Sequence, residues 1–145
     1  MSTVWTIGYE RLLPDALVAE LQAAGIRRVI DVRIRPQSRR PGMSKTKLGQ
    51  RLGEAGISYE HWRGLGTPVE IRALFRRSAT AAARDAYRRH LETEATDELE
   101  RLRGALRDGP PTALLCLEAE PSHCHRRVIC EALQARDPAL AVIDL

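Results

Sequence analysis

Ala113-Leu114-Leu115-Cys116-Leu117-Glu118-Ala119-Glu120-Pro121-Ser122-His123-Cys124-His125-Arg126-Arg127 runs from an apolar segment straight into reactive and cationic side chains. The apolar run from Ala113 to Leu117 reads as a buried strand, which Pro121 ends. Ser122 is a good helix N-cap, and Val128, Ile129, Ala132 and Leu133 give the following segment a helical apolar face. A strand feeding a helix N-terminus is where α/β proteins bind anions, because unpaired N–H groups and the helix dipole point outward there. Here a thiol, two imidazoles and two guanidiniums fall within the five residues His123 to Arg127.

The same alternation of elements recurs through the rest of the chain. Val4 to Ile7 is a β-prone run. Pro14 and Gly25 bracket a helix with Leu13, Leu17, Leu21 and Ala24 on its apolar face, and Val29 to Val32 follows as a second strand. Strand, helix and strand in so short a span predict a βαβ unit with its two strands paired in parallel. Ser44 caps a helix with Leu48, Leu52 and Ala55 inward, and Ile57 to His61 is a third strand. Thr67-Pro68-Val69-Glu70 matches a capping box with proline at N1. Two further helices carry Tyr87 with Leu91, and Leu99 with Leu102 and Leu106; the latter is capped at Asp97 and stopped by Gly109-Pro110-Pro111. Ala141 to Leu145 makes a fifth strand. The pattern predicts one three-layer, Rossmann-like α/β domain over residues 1–145, with a mostly parallel sheet of about five strands.

Composition narrows the class. The 145 residues suffice for one real core, and nothing approaches the roughly 18 apolar residues of a membrane span. With no leader pattern read at the N-terminus, the expectation is a soluble, cytoplasmic protein. Cys116, Cys124 and Cys130 are odd in number and form no C-x-x-C pair, so no disulfide framework is expected. The net charge of +4 is clustered: Arg27 to Lys47 holds eight basic residues and one acid, Asp31.

In open parallel sheets ligands bind beyond the C-terminal strand ends, and the polar residues of this chain collect there. Tyr9 and Glu10 follow the first strand; Asp31, Arg33, Arg35, Ser38 and Arg39 the second; His61 and Arg63 the third; Glu118, Cys124, His125 and Arg126 the fourth. Cys124, near position N2 of its helix, has a local setting that favours thiolate. Two readings stay open for it, a reactive nucleophile or a small buried residue that closes helix onto sheet. Asp31, Glu118 and His125 are the candidates for proton transfer, and Tyr9, Arg33, Ser38, Arg39 and Arg126 for holding an anionic substrate. Asp31 paired with Arg33 in a solvated basic loop is the structural alternative. His123, Cys124, His125 and Cys116 are acceptable zinc ligand types, but three consecutive residues rarely all aim at one ion and no second spaced pair exists. No metal site and no cofactor is assigned. Trp62 beside Arg63 could stack on a base, or sit in the core. Cys116 and Cys130 read as packing residues.

Several of these segments together resemble the domain of unknown function 488 family, nearly end to end. They are Thr6-Ile7-Gly8-Tyr9-Glu10, Asp31-Val32-Arg33 with Pro36, Ser38 and Arg39, Gly56-Ile57 with Tyr59, Leu65-Gly66-Thr67-Pro68 with Arg72, and Leu115-Cys116-Leu117-Glu118 running into Cys124-His125-Arg126. The resemblance implies a compact α/β domain whose shared site lies at these motifs. It supplies no reaction. The functional expectation is therefore a domain that binds or acts on a phosphate-bearing substrate, a nucleotide or a nucleic-acid end, with Cys124 as candidate nucleophile. The alternative is a non-catalytic nucleic-acid-binding module using the basic loop 27–47.

Overall fold

Strand β4, Thr112–Cys116, is buried at every position and occupies the middle of the sheet. The computed structural model describes residues 2–77 and 80–145, with their side chains except that of Ser122. Five strands, β1 (Thr3–Gly8), β2 (Arg28–Asp31), β3 (Ser58–His61), β4 and β5 (Ala141–Asp144), lie in the order β3-β2-β4-β1-β5. Every pairing is parallel. The expected direct pairing of β1 with β2 does not form, because β4 lies between them. The reason is hydrophobic: Ala113 to Cys116 can face apolar layers on both sides, which suits the centre of a parallel sheet. The more exposed β3 and β5 form the edges.

Period-two alternation sorts the strand residues between two cores. Leu114 and Cys116 join Val4, Ile30 and Val32 on one face, against α4 (Thr80–Thr93), α5 (Thr96–Asp108) and α6 (His125–Arg136). Ala113 and Leu115 join Ile7 and Val29 on the other, against α1 (Pro14–Ala23) and α2 (Lys45–Glu54). Leu114 and Leu115 are fully buried on opposite sides, and each contributes about 1.5–3 kcal/mol of transfer free energy. The three-layer parallel α/β architecture is thus the one the alternating pattern predicts.

The departures lie at helix starts. The short helix α3 (Val69–Arg76) begins with Pro68, not Thr67, at its N-cap, and no side chain caps it; Thr67 is buried instead. α5 starts at Thr96 after an Ala95 N-cap, before the expected Asp97. After β4 the chain turns through a single 3₁₀ turn, Pro121–His123, and α6 starts at His125, with Cys124 rather than Ser122 at its N-cap. The Ser122 side chain lies outside the described ones. Leu13, expected on the inner face of α1, is 71% exposed, because it sits at the N-cap and not within the helical repeat. Among the described residues no helix is long and apolar enough to cross a membrane.

Candidate functional site

The C-terminal ends of β1, β2 and β4 are level: Gly8 pairs with Cys116, and Asp31 with Leu115. Segments leaving these ends wall a cavity of about 370 Å³. Tyr9, Arg33 and Arg35 come from the first two crossings, Arg72, Phe75 and Arg76 from α3, and Cys116, Glu118, His123, Cys124 and His125 from the opening stretch. Tyr9, Arg33, Glu118, Cys124 and His125, all expected at the strand ends, thus meet on one cavity, but their roles within it differ.

On the β2 side, Asp31 is fully buried and saturated with donors. Arg33 reaches it through Nε at 2.9 Å and Nη2 at 2.7 Å, the Arg33 backbone N–H at 3.1 Å, and the Tyr59 hydroxyl at 2.5 Å. Arg33 also donates to the Tyr9 hydroxyl at 3.1 Å and to the Met43 carbonyl at 2.8 Å. Burial works against the charge of Arg33, but Asp31 and Tyr9 more than restore it and its pKa lies above the ordinary value. Asp31, Arg33 and Tyr9 therefore form a closed unit that fixes the loop after β2. Ser38 stays in that loop as a brace: its backbone N–H donates to the Ser44 hydroxyl, and its own hydroxyl accepts from the Arg40 N–H. Arg39 is exposed and outside the cavity lining. Trp62 is a core residue, 5% exposed, with its indole N–H on Glu60 and Arg101 over its ring.

The β4 side is different. Arg126 is completely buried and ion-pairs with no carboxylate among the described residues. It donates from Nη1 to the Cys116 sulfur at 2.9 Å and to the Glu118 carbonyl at 2.5 Å, and from Nη2 to the Ala119 carbonyl at 3.2 Å, while its Nε has no partner. Burial lowers its pKa. Gly8 makes room for this arrangement: a Cβ there would stand 1.7 Å from the Glu118 carbonyl oxygen and 2.9 Å from Arg126 Nη1. Arg126 thus lies beneath the cavity wall, supporting it without facing a ligand.

The sulfurs of Cys116 and Cys124 are in direct contact and are joined as a disulfide, with Cα atoms 7.4 Å apart. No such pairing is expected from the cysteine count; parallel strands and the return of the chain into α6 bring together two residues that spacing alone leaves unrelated. His125 donates from Nε2 to the Val32 carbonyl at 2.8 Å, which turns Nδ1 toward the Cys124 sulfur, 3.6 Å away. Burial foremost holds the imidazole pKa down to about 4, so the ring is a neutral acceptor at pH 7. Glu118 is half-buried in the cavity wall, and burial raises its pKa. Cys130 is a separate buried thiol pushed up to about 12.

Arg35, Arg72 and Arg76 all reach the cavity, and none of the three ion-pairs with a carboxylate among the described residues. Arg72 and Arg76 are the contribution that the strand-end reading missed. They are four apart on α3 and so share one helix face, a spacing that was available in the sequence once α3 was placed over the rim.

Neither the curated proteins nor the solved structures compared with the chain include a match. The model of one family, Domain of unknown function DUF488, matches residues 14–133. That span includes β2 and β4, α3 and the segment from Glu118 to Arg126, and so every residue named in the cavity wall except Tyr9, which precedes it. The chain belongs to the DUF488 family.

Proposed function

We propose that the cavity binds a phosphate-bearing substrate of the nucleotide or nucleic-acid-end class, held by Arg35, Arg72 and Arg76. The observation that carries this reading is the meeting of these three guanidiniums, without carboxylate partners among the described residues, in one cavity of about 370 Å³. A guanidinium recognises phosphate through paired N–H donors, and such a cluster has few uses in a folded chain other than an anion. The anion-holding role moves from Arg33, Arg39 and Arg126 to these three. Arg33 is committed to Asp31, Arg39 stands outside the lining, and Arg126 lies beneath it.

Chemistry on the bound group belongs to the corner of Cys116, Glu118, Cys124 and His125. Once the disulfide is reduced, neutral His125 offers Nδ1 to the proton of the Cys124 thiol, and Glu118, with its raised pKa, can carry a proton to a leaving group. Cys124 is not an isolated nucleophile in this arrangement. Its sulfur shares the corner with Cys116, so the pair is the reactive unit.

The nucleic-acid-binding alternative is weaker on geometry, since Arg28, Arg33 and Arg40 of the basic loop are used internally. A thermal-shift screen separates the two readings, using pyrophosphate, nucleotides, phosphosugars and oligonucleotides on wild type, Arg72→Ala and Arg39→Ala. The cavity reading expects stabilisation by a small phosphate compound that Arg72→Ala reduces and Arg39→Ala leaves intact. Stabilisation by oligonucleotides alone, weakened by Arg39→Ala, contradicts it.

A further inference from the structure

We infer that Cys116, Glu118 and Cys124 are three ligands of a single thiophilic divalent cation of the zinc class, with its fourth position turned to the cavity. One atom from each residue, two sulfurs and a carboxylate oxygen, lies within 4.8 Å of the other two. All three residues line the cavity. The site belongs to the reduced chain: once the disulfide is opened, a tetrahedral ion with bonds of about 2.3 Å to sulfur and roughly 2.1 Å to oxygen needs the sulfurs to part to about 3.8 Å and the carboxylate oxygen to stand about 3.6 Å from each. The Cα separation of Cys116 and Cys124, 7.4 Å, is wider than the roughly 4.4–6.8 Å that disulfides usually span. In the reduced chain, two thiolates on either side of one ion suit that wider separation.

Charge supplies the second, independent argument. Arg126 is a fully buried guanidinium whose nearest side-chain acceptor is the Cys116 sulfur, 2.9 Å from Nη1. A buried cation of this kind needs a compensating anion, and an N–H group aimed at sulfur is the outer-shell contact that orients a thiolate ligand. Two thiolates and a carboxylate beside one guanidinium leave two negative charges, which a divalent cation neutralises. The ion also explains why a carboxylate stands in the wall of a cavity otherwise supplied with arginines: without it, Glu118 repels the anion that Arg72 attracts. His125 is not a ligand here. Its Nε2 is committed to the Val32 carbonyl, and Nδ1, 3.6 Å from the Cys124 sulfur, stays outside the ligand set. The set differs from the one that spacing suggested, since Glu118 replaces His123 and His125.

This inference rests on the ligand cluster and not on the phosphate reading. The test is titration of Co²⁺ into the reduced full-length chain under a thiol-free reductant, followed by near-ultraviolet sulfur-to-cobalt absorption, with zinc stoichiometry measured on the same preparation. The expected result is saturation at one ion per chain. Cys116→Ser and Cys124→Ser each reduce the sulfur-to-cobalt band, Glu118→Gln weakens binding while keeping both sulfurs, and Arg126→Met weakens it by about 10- to 100-fold. Cys130→Ser leaves the titration unchanged, and circular dichroism of each variant confirms that it is folded. Absence of a saturable band from the reduced chain overturns the inference, as does a band insensitive to Cys116→Ser in a folded variant. A pair that serves only as a disulfide gives the first of these results. The pyrophosphate thermal shift on the same samples keeps the two ideas apart: loss of cobalt binding with the shift retained removes the metal site alone, and the reverse removes the substrate reading alone.

Discussion

Arg33 in one wall of the cavity and Arg126 beneath the opposite wall are both buried arginines, and their surroundings could hardly differ more. Arg33 is held by a carboxylate through two nitrogens and by Tyr9 and Met43 through a third. Arg126 has carbonyl oxygens, a sulfur and one unpartnered nitrogen. A charge that is fully paired inside the protein braces structure. A charge held only by backbone carbonyls and a cysteine sulfur raises the question of what else is negative nearby. The first arginine is part of a scaffold, and the second rests on carbonyl oxygens and a sulfur.

The largest expected effect breaks the first wall. Asp31→Ala leaves the Arg33 guanidinium buried without its carboxylate and should cost about 3–5 kcal/mol in urea unfolding. Arg126→Met removes a charge that has no carboxylate to orphan, and an apolar side chain of similar length can fill the space. Its cost should be clearly smaller. Equal losses for the two variants would mean that both arginines are structural and that the contrast between the walls is false.

Next in size is a pH effect in the second wall. The folded-state pKa of His125, about 4, lies below its ordinary 6.5 because the ring is buried, with Arg126 adding to the effect. A depressed histidine favours the fold while it is neutral. That contribution is complete above pH 6.5 and is lost as pH falls toward 4, by about 3 kcal/mol at most. Stability measured across this range should fall more steeply for wild type than for His125→Asn. Parallel curves would place the imidazole in contact with water.

Smaller again is the effect of filling the space beside Arg126. Gly8→Ala drives a methyl group against the Glu118 carbonyl, and the resulting shift should cost about 1–3 kcal/mol, lowering the melting temperature. An unchanged melting temperature would show that the turn after β4 can move away freely. The smallest change in stability belongs to Arg72→Ala, within about 0.5 kcal/mol, since this side chain makes no internal ion pair among the described residues.

Most of the fold was legible because it rests on periodicity. The apolar run at Leu114-Leu115, the helical spacing of Leu17 with Leu21, and Leu99 with Leu102 each report a buried face, whatever the rest of the chain does. Helix starts were less legible, because capping side chains compete with tertiary contacts. Thr67 is drawn into the interior next to a Gly66 whose Cβ would strike the Ile34 backbone, and Pro68 takes the cap position. Strand order was hidden for a related reason: sequence proximity suggests β1 beside β2, whereas burial puts β4 between them. At the site, strand-end logic found Cys124, His125, Glu118 and Tyr9 on the cavity. It could not show that Arg33 turns back onto Asp31 or that Arg126 lies under the floor. Both arginines occupy positions suited to a ligand, and only side-chain direction separates a ligand contact from a brace. The contact between Cys116 and Cys124 joins a strand end to a helix start, and no local pattern encodes it.

Isothermal titration calorimetry of pyrophosphate into wild type, Arg39→Ala, Arg72→Ala and the Arg72→Ala/Arg76→Ala pair tests whether these arginines hold a phosphate group. A charge-assisted contact is worth about 1.5–3 kcal/mol, so each guanidinium removed from the cavity should weaken binding by roughly tenfold or more. The expected result is one saturable site per chain, with affinity falling stepwise through the two cavity variants and unchanged in Arg39→Ala. No saturable binding, or an affinity that survives loss of both Arg72 and Arg76, would contradict it.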